Sequence, residues 1–351
     1  MIPNEDDPYS GSTAPDGVAE PAKPSGSLVS WRKSAFLAPV AILALILYFV
    51  RLPYFVLQPG PAEDVEPLIH IQSQQTYPGG HLLLTSVGLY QPNAYQAFWA
   101  WVDRAQSVVP ERDILAPGET PQEETQQAIS QMDTSKIDAA VVALTKYAGY
   151  PDRHGRGVLV ESVLSGSPAS GKLFAGDVVL SVDGRRAADP DQLGRMIRAA
   201  GVGHALTFEV KADGQTRRVQ VAPGRIQGID HPAIGIGTVA AFPFPLEIDS
   251  GDIGGPSAGL MWTLGLVDLL TPGDLTGGHI VAGTGTIDLT GKVGPIGGIS
   301  QKVVAAERAG ATVFFAPAEE ASQARSVAHH IVIVPVRSYT DAVSYLGGPA
   351  S

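Results

Sequence analysis

A glycine-rich loop followed by a long apolar run dominates the C-terminal half of this chain of 351 residues. The loop covers residues 249–256, and the run from Ala258 to Leu270 is almost entirely apolar. This pattern predicts a buried helix that begins beside Ser257. The hydroxyl would then lie near backbone N–H groups without helical partners, at the positive end of the helix dipole. Such groups stabilise the oxyanion that forms when a hydroxyl attacks a carbonyl, and Gly254 and Gly255 are the candidate loop residues.

A lysine in a second predicted helix is the candidate base for this serine. Lys302 lies 302 − 257 = 45 residues after Ser257, in a helix that Gly298 precedes and Gly310 ends. Apolar residues follow it, and an ammonium group in apolar surroundings loses hydration, which lowers its pKa. The neutral amine can then accept a proton from a hydroxyl. The residues alone leave a second interpretation open, in which the serine caps a helix and the lysine is solvated.

Three sequence blocks in this region resemble the proteolytic domain of the Lon family. In the order of that family they are Gly-Pro-Ser-Ala-Gly, Gly-Thr-Gly-Thr-Ile-Asp-Leu-Thr-Gly-Lys-Val-Gly-Pro-Ile-Gly-Gly and Gln-Lys-Val-Val-Ala-Ala-Glu-Arg-Ala-Gly. The resemblance implies that Ser257 is the nucleophile, that Lys302 is its base and that Thr284 supports the lysine. Lon proteases commonly carry an acidic residue three places before the serine, where this chain has Gly254. The oxyanion geometry and the pH dependence are the details that this difference affects.

Composition restricts the other functions. The formal net charge of −11 argues against nucleic-acid binding. No cysteine is present, and the eight histidines show no metal-ligand spacing, so we expect neither a metal nor a cofactor. The pairs Gly291-Lys292 and Gly171-Lys172 do not complete a phosphate-binding loop, which predicts an activity independent of ATP.

The N-terminal region predicts a membrane anchor. Residues 1–30 are rich in proline, glycine, serine and acids, which is typical of a disordered tail. The uncharged run from Ser34 to Val50 spans roughly 25 Å, slightly less than a bilayer core, but flanking aromatic residues can lie at the interfaces and the arginines can snorkel. We therefore expect a transmembrane helix within residues 31–57 and hence contact with the lipid bilayer. Two basic residues precede the run and one follows it, so the tail is assigned to the cytoplasm and the catalytic region to the outside of a single-pass cell-membrane protein.

Residues 58–146 predict an α/β region that packs near the module after it. Apolar residues alternate between Val65 and Val87 around a Pro-Gly-Gly sequence, which predicts a β-hairpin. Aromatic residues at helical spacing after residue 94 predict a helix whose rings lie in a core. Thr120-Pro-Gln-Glu matches a capping box and predicts a long helix that ends near Tyr147.

Residues 147–225 resemble a PDZ domain of the bacterial protease-associated type, with strand patterns, a proline-started helix and a closing hairpin. The resemblance implies that an extended peptide adds as a strand to a sheet edge while a loop holds its C-terminal carboxylate. The candidate peptide-binding residues are Tyr147, Ala148, Gly149 and Tyr150 in the loop and Leu193, Met196 and Ile197 in the groove. The alternative for the last three side chains is ordinary domain core.

Residues 226–351 predict the last domain, in which strands and helices alternate after Gly310. The predicted fold class is therefore α+β, with one N-terminal transmembrane helix, a β-rich PDZ-like domain and a C-terminal Lon-type proteolytic domain. This order resembles a family of membrane-anchored, PDZ-containing Lon-like proteases of bacteria. The resemblance implies an ATP-independent serine endopeptidase that acts on proteins or peptides, whose PDZ domain recognises C-termini, and it suggests a homo-oligomeric ring.

Two other functions are compatible with these patterns. The first is a catalytically inactive, membrane-tethered PDZ scaffold. The second is an esterase, because Gly-Pro-Ser-Ala-Gly also satisfies the nucleophile elbow of α/β-hydrolases, with Asp288 and His329 as the acid and the histidine. The elbow requires a sharp strand-to-helix turn, whereas the predicted strand ends near Ile248 and leaves eight residues of loop before Ser257.

Overall fold

The computed structural model describes residues 28–212 and 214–348, with side chains from residue 39 onward. The chain divides into two compact units at residues 50 and 51. In the first unit, helix α1 covers Leu28–Phe49. Most of the predicted tail at residues 1–30 lies outside the described residues.

The predicted membrane anchor is not supported. No helix in the described part of the chain is long and apolar enough to cross a membrane. The C-terminal end of the predicted anchor is a strand, since β1 begins at Tyr54, and Phe55 and Val56 are buried in the second unit. Residues 54–57, at the end of the predicted anchor, therefore belong to a strand of the second unit.

The second unit mixes strands and helices, which confirms the α+β class. Its first strands are β1 (Tyr54–Asp64), β2 (Ile69–Ile71), β3 (His81–Tyr90), β4 (Ser107–Pro110), β5 (Val158–Val163), β6 (Val178–Val182), β7 (Arg185–Arg186), β8 (Leu206–Ala212) and β9 (Gln215–Val221). The later strands are β10 (Ile236–Ala240), β11 (Leu246–Ile248), β12 (Ile280–Gly283), β13 (Thr286–Ile287), β14 (Val293–Gly294), β15 (Val313–Pro317) and β16 (Val332–Val336). The helices are α2 (Ala94–Val102), α3 (Pro121–Tyr147), α4 (Pro190–Ala200), α5 (Gly259–Leu270), α6 (Ile299–Arg308), α7 (Ala321–Val327) and α8 (Tyr339–Tyr345).

One sheet joins the beginning and the end of this unit. Its strand order is β16-β15-β12-β3-β1-β4, with β3 antiparallel to β1 and parallel to β12. The central strands are apolar on both faces, as expected for strands covered on both sides. The predicted hairpin between Val65 and Val87 is wrong, because β2 pairs with β11 and β3 with β1. Strands β2 and β3 are neighbours in the sequence but form their hydrogen bonds with other strands.

Helices α3 and α5 form the centre of the largest core. Residues 259–269 of α5 are all buried, as an all-round apolar helix requires. The capping box of Thr120 and Glu123 begins α3, and the predicted end at Tyr147 is confirmed. Helix α2 differs from its prediction, because its aromatic side chains are exposed instead of forming core, including Trp101 at 78%.

A second sheet has the order β10-β5-β6-β8-β9, with β7 beside β6. Helix α4, capped by Asp189, packs over its core. Strand β10 follows the predicted domain boundary at residue 225 and nevertheless pairs with β5. The predicted domain boundaries stay predictions, but hydrogen bonds cross this one.

Two buried carboxyl groups, Glu66 and Asp268, lie beside one backbone position. Glu66 accepts hydrogen bonds from the N–H groups of Gly79 (3.1 Å) and Gly80 (3.0 Å), and a Cβ atom at Gly80 would touch both carboxyls. Asp268 Oδ1 accepts from Leu275 N–H at 2.8 Å, whereas Oδ2 has no donor. A proton on one of the two carboxyls would supply that donor. Burial, strengthened by Asp268, raises the pKa of Glu66 to about 8, and burial raises the pKa of Asp268 as well.

Because of this carboxyl pair, we expect the free energy of unfolding to decrease as the pH rises from acidic to neutral values. Between about pH 4.5 and 8 the folded protein holds a proton on Glu66 that the unfolded chain releases, so the free energy of unfolding should fall as the pH rises. Urea unfolding of Glu66→Gln between pH 5 and 8.5 should show a weaker fall than the wild type. The exposed control Glu319→Gln should keep the wild-type slope, and equal slopes in all three proteins would contradict this assignment.

Candidate active site

Ser257 lies in a short 3-10 turn, Pro256–Ala258, that leads directly into α5. Gly255 begins this turn with φ = +83°, a conformation that side chains rarely adopt. Helix α3 holds the turn from one side, since Ser135 Oγ donates to the Pro256 carbonyl at 3.0 Å and Gly255 N–H donates to the Ala128 carbonyl at 2.7 Å. Both contacts involve the two residues that precede Ser257, so α3 fixes the turn that carries the serine.

The same contacts bear on the predicted oxyanion loop. The N–H of Gly255 is already used by Ala128, so this donor is not available to an oxyanion in this conformation. Gly254 lines the cavity that contains Ser257, and a Cβ atom there would lie 2.9 Å from Ala128 Cβ. Glycine at 254 is thus required by the close approach of α3, where many Lon proteases carry an acidic residue.

Thr284 connects the serine turn to the sheet. It directly follows β12, and its N–H donates to the Phe315 carbonyl of β15 at 3.0 Å. Its hydroxyl donates to the Ser257 carbonyl at 2.9 Å, and Gly285 N–H donates to the same oxygen at 2.8 Å. Because Thr284 is fully buried, water does not compete for these bonds.

Lys302 reaches both hydroxyls from α6. Its Nζ lies 2.6 Å from Ser257 Oγ and 3.0 Å from Thr284 Oγ1. The helix begins after Gly298, whose φ is +69°, and a Cβ atom at this glycine would lie 2.8 Å from a methyl group of Val87. Glycine at 298 therefore lets α6 approach β3. The structure brings Ser257, Lys302 and Thr284 together.

The electrostatics of Lys302 follow from its burial. Lys302 is only 3% exposed. This burial lowers the pKa of its amine from 10.5 to about 8. The carboxylate of Glu320 acts in the opposite direction but is the smaller influence. A substantial fraction of the amine is therefore neutral near pH 8 and can accept a proton.

An open cavity of about 730 Å³ contains Ser257 and Lys302. Its lining includes the end of β3 and the loop at residues 249–254. Strand β12 pairs with β3 only as far as Leu84, so from Thr85 onward β3 is paired on one edge alone, with β1. An extended peptide could add to that edge beside the serine.

The cavity is acidic. Its lining contains Glu63, Glu124, Asp249 and Asp252, none of which lies in an ion pair within the described part of the chain. The buried Lys302 is the one cationic side chain in the same lining. Burial, with Glu119 nearby, raises the pKa of Glu124.

The alternative chemistries find no support in this geometry. His329 is exposed and its backbone N–H donates to the Glu307 carboxylate, while Asp288 accepts hydrogen bonds within its own turn. Neither residue lines the cavity of Ser257. Residues 28–212 and 214–348 contain no group of three or more His, Cys, Asp or Glu side chains placed to hold a metal ion. The esterase interpretation therefore has no histidine within reach of the serine.

The predicted carboxylate-binding loop at residues 147–150 does not offer all of the backbone N–H groups that this role requires. Tyr147 is the last residue of α3, and the N–H groups of Ala148 and Tyr150 both donate to the Leu144 carbonyl. Gly149 has φ = +70° and is exposed. Two of the backbone donors expected to hold a carboxylate are therefore used to end the helix.

The predicted groove residues lie in or beside a packed core. Leu193 and Ile197 are 1% and 6% exposed, and Met196 is half-buried next to them. The same cluster includes Ile234 and, at its margin, Ile236, which come from the chain after the PDZ-like module. Their role in peptide binding stays a prediction.

Some contacts of the site escaped the sequence analysis. Ser135 is 121 positions from its partner Pro256, and the end of β3 lies still further along the chain from Lys302. No local pattern marks either feature. Only the pairing of distant elements creates them.

Comparison with known proteins identifies two of the modules. Residues 250–341 match the Lon protease (S16) C-terminal proteolytic domain, and residues 129–222 match the PDZ domain. The chain therefore contains a Lon-type proteolytic domain and a PDZ domain, which confirms that part of the prediction from sequence. Ser257, Thr284 and Lys302 all fall within the first match.

Several curated relatives that match this chain are Lon proteases. The Lon protease of Desulfosudis oleivorans is 48% identical over 71 residues, which are 20% of this chain and 8% of that protein. That of Chloroflexus aggregans is 36% identical over 104 residues, or 27% and 12% of the two chains. The match to these curated relatives thus covers about a tenth of their length. Among solved structures, the PDZ domain of an SdrC-like protein from Listeria monocytogenes is 27% identical, with 24% of this chain and 90% of that domain covered and a TM-score of 0.23.

Proposed function

We propose that this protein is a serine endopeptidase in which Ser257 is the nucleophile and Lys302 the general base. The observation that carries the proposal is the 2.6 Å separation between a buried amine of lowered pKa and the serine hydroxyl. The match of residues 250–341 to the Lon proteolytic domain supports the same activity. Peptides and proteins are the substrates.

The mechanism begins with a neutral Lys302. Its Nζ accepts the proton of the Ser257 hydroxyl while Oγ attacks the peptide carbonyl, and the resulting ammonium ion returns this proton to the leaving amine. Water, deprotonated by the same amine, then hydrolyses the acyl-enzyme. Thr284 keeps Nζ directed at the serine, because it bonds both Nζ and the serine carbonyl.

Replacement of either group should abolish peptidase activity. Ser257→Ala removes the nucleophile and Lys302→Ala the base, so kcat/KM for an internally quenched peptide should fall by about 10³-fold or more in each. In the wild type, kcat/KM should rise with pH through about pH 8, because only the neutral amine is competent.

The exposed lysine Lys292 offers a matched control for this experiment, and Lys292→Ala should retain activity and the same pH profile. Circular dichroism should show all variants folded. Normal turnover by a folded Lys302→Ala protein would refute the role of Lys302 as the general base. Turnover by the wild type that is lost in a folded Ser257→Ala protein would distinguish an enzyme from an inactive scaffold. Activity without added nucleotide is expected, because the chain lacks a phosphate-binding loop.

The acidic cavity predicts a preference for basic substrates. An extended substrate beside β3 would pass four carboxylates, which concentrate and orient cationic side chains in a cleft. Of two otherwise identical peptides, the one with lysines flanking the scissile bond should have a kcat/KM roughly tenfold above the one with glutamates, and salt should shrink the ratio.

A pair of variants assigns this preference to the cavity. Asp252→Asn should reduce the ratio of the two peptides, whereas Asp230→Asn, at an exposed position that does not line the cavity, should leave it unchanged. Equal cleavage of both peptides by the wild type would rule out the electrostatic preference and leave the serine and lysine assignments intact.

The cellular location and the assembly stay predictions from the sequence. We propose attachment to the cell membrane through the uncharged run from Ser34 to Val50, with the catalytic region outside, on the basis of its length and of the basic residues that flank it. The full-length chain should then remain in the membrane fraction after washing with alkaline carbonate, and a variant without residues 1–50 should not. Release of both proteins would reject the anchor.

The homo-oligomer expected from the sequence can be tested on the shortened chain by light scattering. The mass of a single chain would exclude an oligomer.

A further inference from the structure

Helix α2 presents an apolar face to solvent. Its residues, Ala94–Val102, include no charged side chain. The apolar face consists of five side chains that are each more than half exposed: Tyr95, Phe98, Trp99, Trp101 and Val102. Four of them follow the helical spacing i, i+3, i+4 and i+7 from Tyr95, which places them side by side. A contiguous exposed apolar face marks contact with another molecule or with a membrane.

The apolar face is ordered. A capping box formed by Asn93 and Gln96 begins the helix. The ring centre of Trp99 lies 5.5 Å from that of Phe98 and 6.1 Å from that of Tyr95, and both pairs meet edge to face. Rings that are already ordered lose little conformational freedom when they bind. The face therefore needs no rearrangement to act as a docking surface.

The start of α2 is attached to the residue at which the uncharged run ends. Arg51 is the next residue after Val50, the last residue of that run. Its backbone forms a β-bridge with Asn93. Its guanidinium donates to the Gln91 carbonyl at 3.1 Å and to Gln96 Oε1 at 3.2 Å. In the proposed membrane attachment the chain leaves the bilayer at Arg51, so α2 begins beside the membrane surface.

A bilayer surface is the partner that fits both this chemistry and this position. Tryptophan and tyrosine side chains concentrate at the headgroup level of membranes, where the ring is buried and its N–H or O–H group stays hydrated. A helix with an apolar face lies in the plane of this interface and buries that face. A second protein chain would also suit aromatic side chains, but only a bilayer accounts for the attachment of α2 at the end of the uncharged run.

We propose that α2 docks on the surface of the bilayer, with its apolar face among the headgroups and the adjoining part of the acyl chains. The choice of a bilayer as the partner rests on the membrane attachment proposed above. Because α2 is uncharged and the whole chain has a formal net charge of −11, burial of apolar surface drives the contact, and zwitterionic lipids suffice.

Docking at α2 fixes the active-site cavity relative to the membrane. Leu89 of β3 lines this cavity and lies 93 − 89 = 4 positions before Asn93, the N-cap residue of α2. After the helix, Ser107 of β4 accepts a hydrogen bond from Gln301 Nε2 at 2.8 Å, and Gln301 directly precedes Lys302 in the sequence. Helix α2 thus connects two strands that contact the site.

Tryptophan fluorescence of the chain without residues 1–50 tests the docking. Residues 51–351 form a compact unit that contains the whole of its largest core, so the shortened chain folds without the deleted segment. Trp31 is removed, Trp262 is fully buried, and Trp99 and Trp101 are the exposed reporters. Phosphatidylcholine vesicles should shift the emission to shorter wavelength, and lipids brominated in the acyl chains should quench it. An emission spectrum that is unchanged at millimolar lipid would overturn the proposal.

Two phenylalanines of similar exposure provide a variant and its control. Phe98→Asp places a charge in the apolar face and keeps both exposed tryptophans, so the partition coefficient into vesicles should fall by about tenfold or more. Phe98 and Phe174 are 54% and 56% exposed, and Phe174→Asp, in the PDZ-like module, should bind as the wild type. Trp101→Ser, at the most exposed ring of α2, should also weaken binding in vesicle flotation. Binding that neither change in the apolar face weakens would refute the role of α2.

The full-length chain separates this proposal from that of the anchor. In a Trp31→Phe protein reconstituted into phosphatidylcholine vesicles, brominated lipids should quench Trp99 and Trp101, and Phe98→Asp should reduce the quenching. Retention of this protein in the membrane with both tryptophans unquenched would reject the docking and keep the anchor. Quenching of the shortened chain, together with release of the full-length chain by carbonate, would keep the docking and reject the anchor.

Self-association is the competing use of the apolar face. A wild-type oligomer that Phe98→Asp dissociates in light scattering, with no vesicle binding by either protein, would assign the face to contact between copies and overturn the proposal. None of these measurements uses peptidase activity, so their outcome is separate from that of the proposed catalysis.

Discussion

The burial of one amine, that of Lys302, is the constraint on which the rest of the site depends. A charged ammonium group in this position would lose hydration without an ion-pair partner, and the resulting cost appears as a pKa lowered to about 8. Two hydroxyls within 3.0 Å satisfy the amine instead. The same burial that disfavours the charge produces the base that the proposed reaction needs.

Three separate parts of the fold are required to maintain this arrangement. The sheet holds Thr284 through the hydrogen bond from its N–H to the Phe315 carbonyl. Helix α6 carries Lys302, and the turn before α5 carries Ser257. Helix α3 closes the group by holding the serine turn. Because each part belongs to a different region of the chain, the site forms only when the large core has formed around α3 and α5.

The PDZ module is inserted within the chain of the proteolytic fold. Strands β1, β3 and β4 precede it and β12, β15 and β16 follow it, yet all six belong to one sheet. The segment that leaves the module passes through β10 and β11 before it reaches the serine loop. This connection is held at two points, because β10 pairs with β5 in the PDZ sheet and β11 pairs with β2.

The sequence determined the local elements and the identity of the reacting groups. Helix α3 follows its capping box, α5 follows its apolar run, and the glycine-rich blocks around Ser257, Thr284 and Lys302 sufficed to identify the Lon-type domain. Tertiary structure alone decided the strand partners, including the pairing of β10 with β5, and the use of Gly255 N–H by α3. The predicted hairpin failed for the same reason. Backbone N–H and C=O groups are alike in all residues except proline, so a local pattern can predict a strand but does not identify which distant strand will pair with its edge. That choice depends on how the whole chain packs.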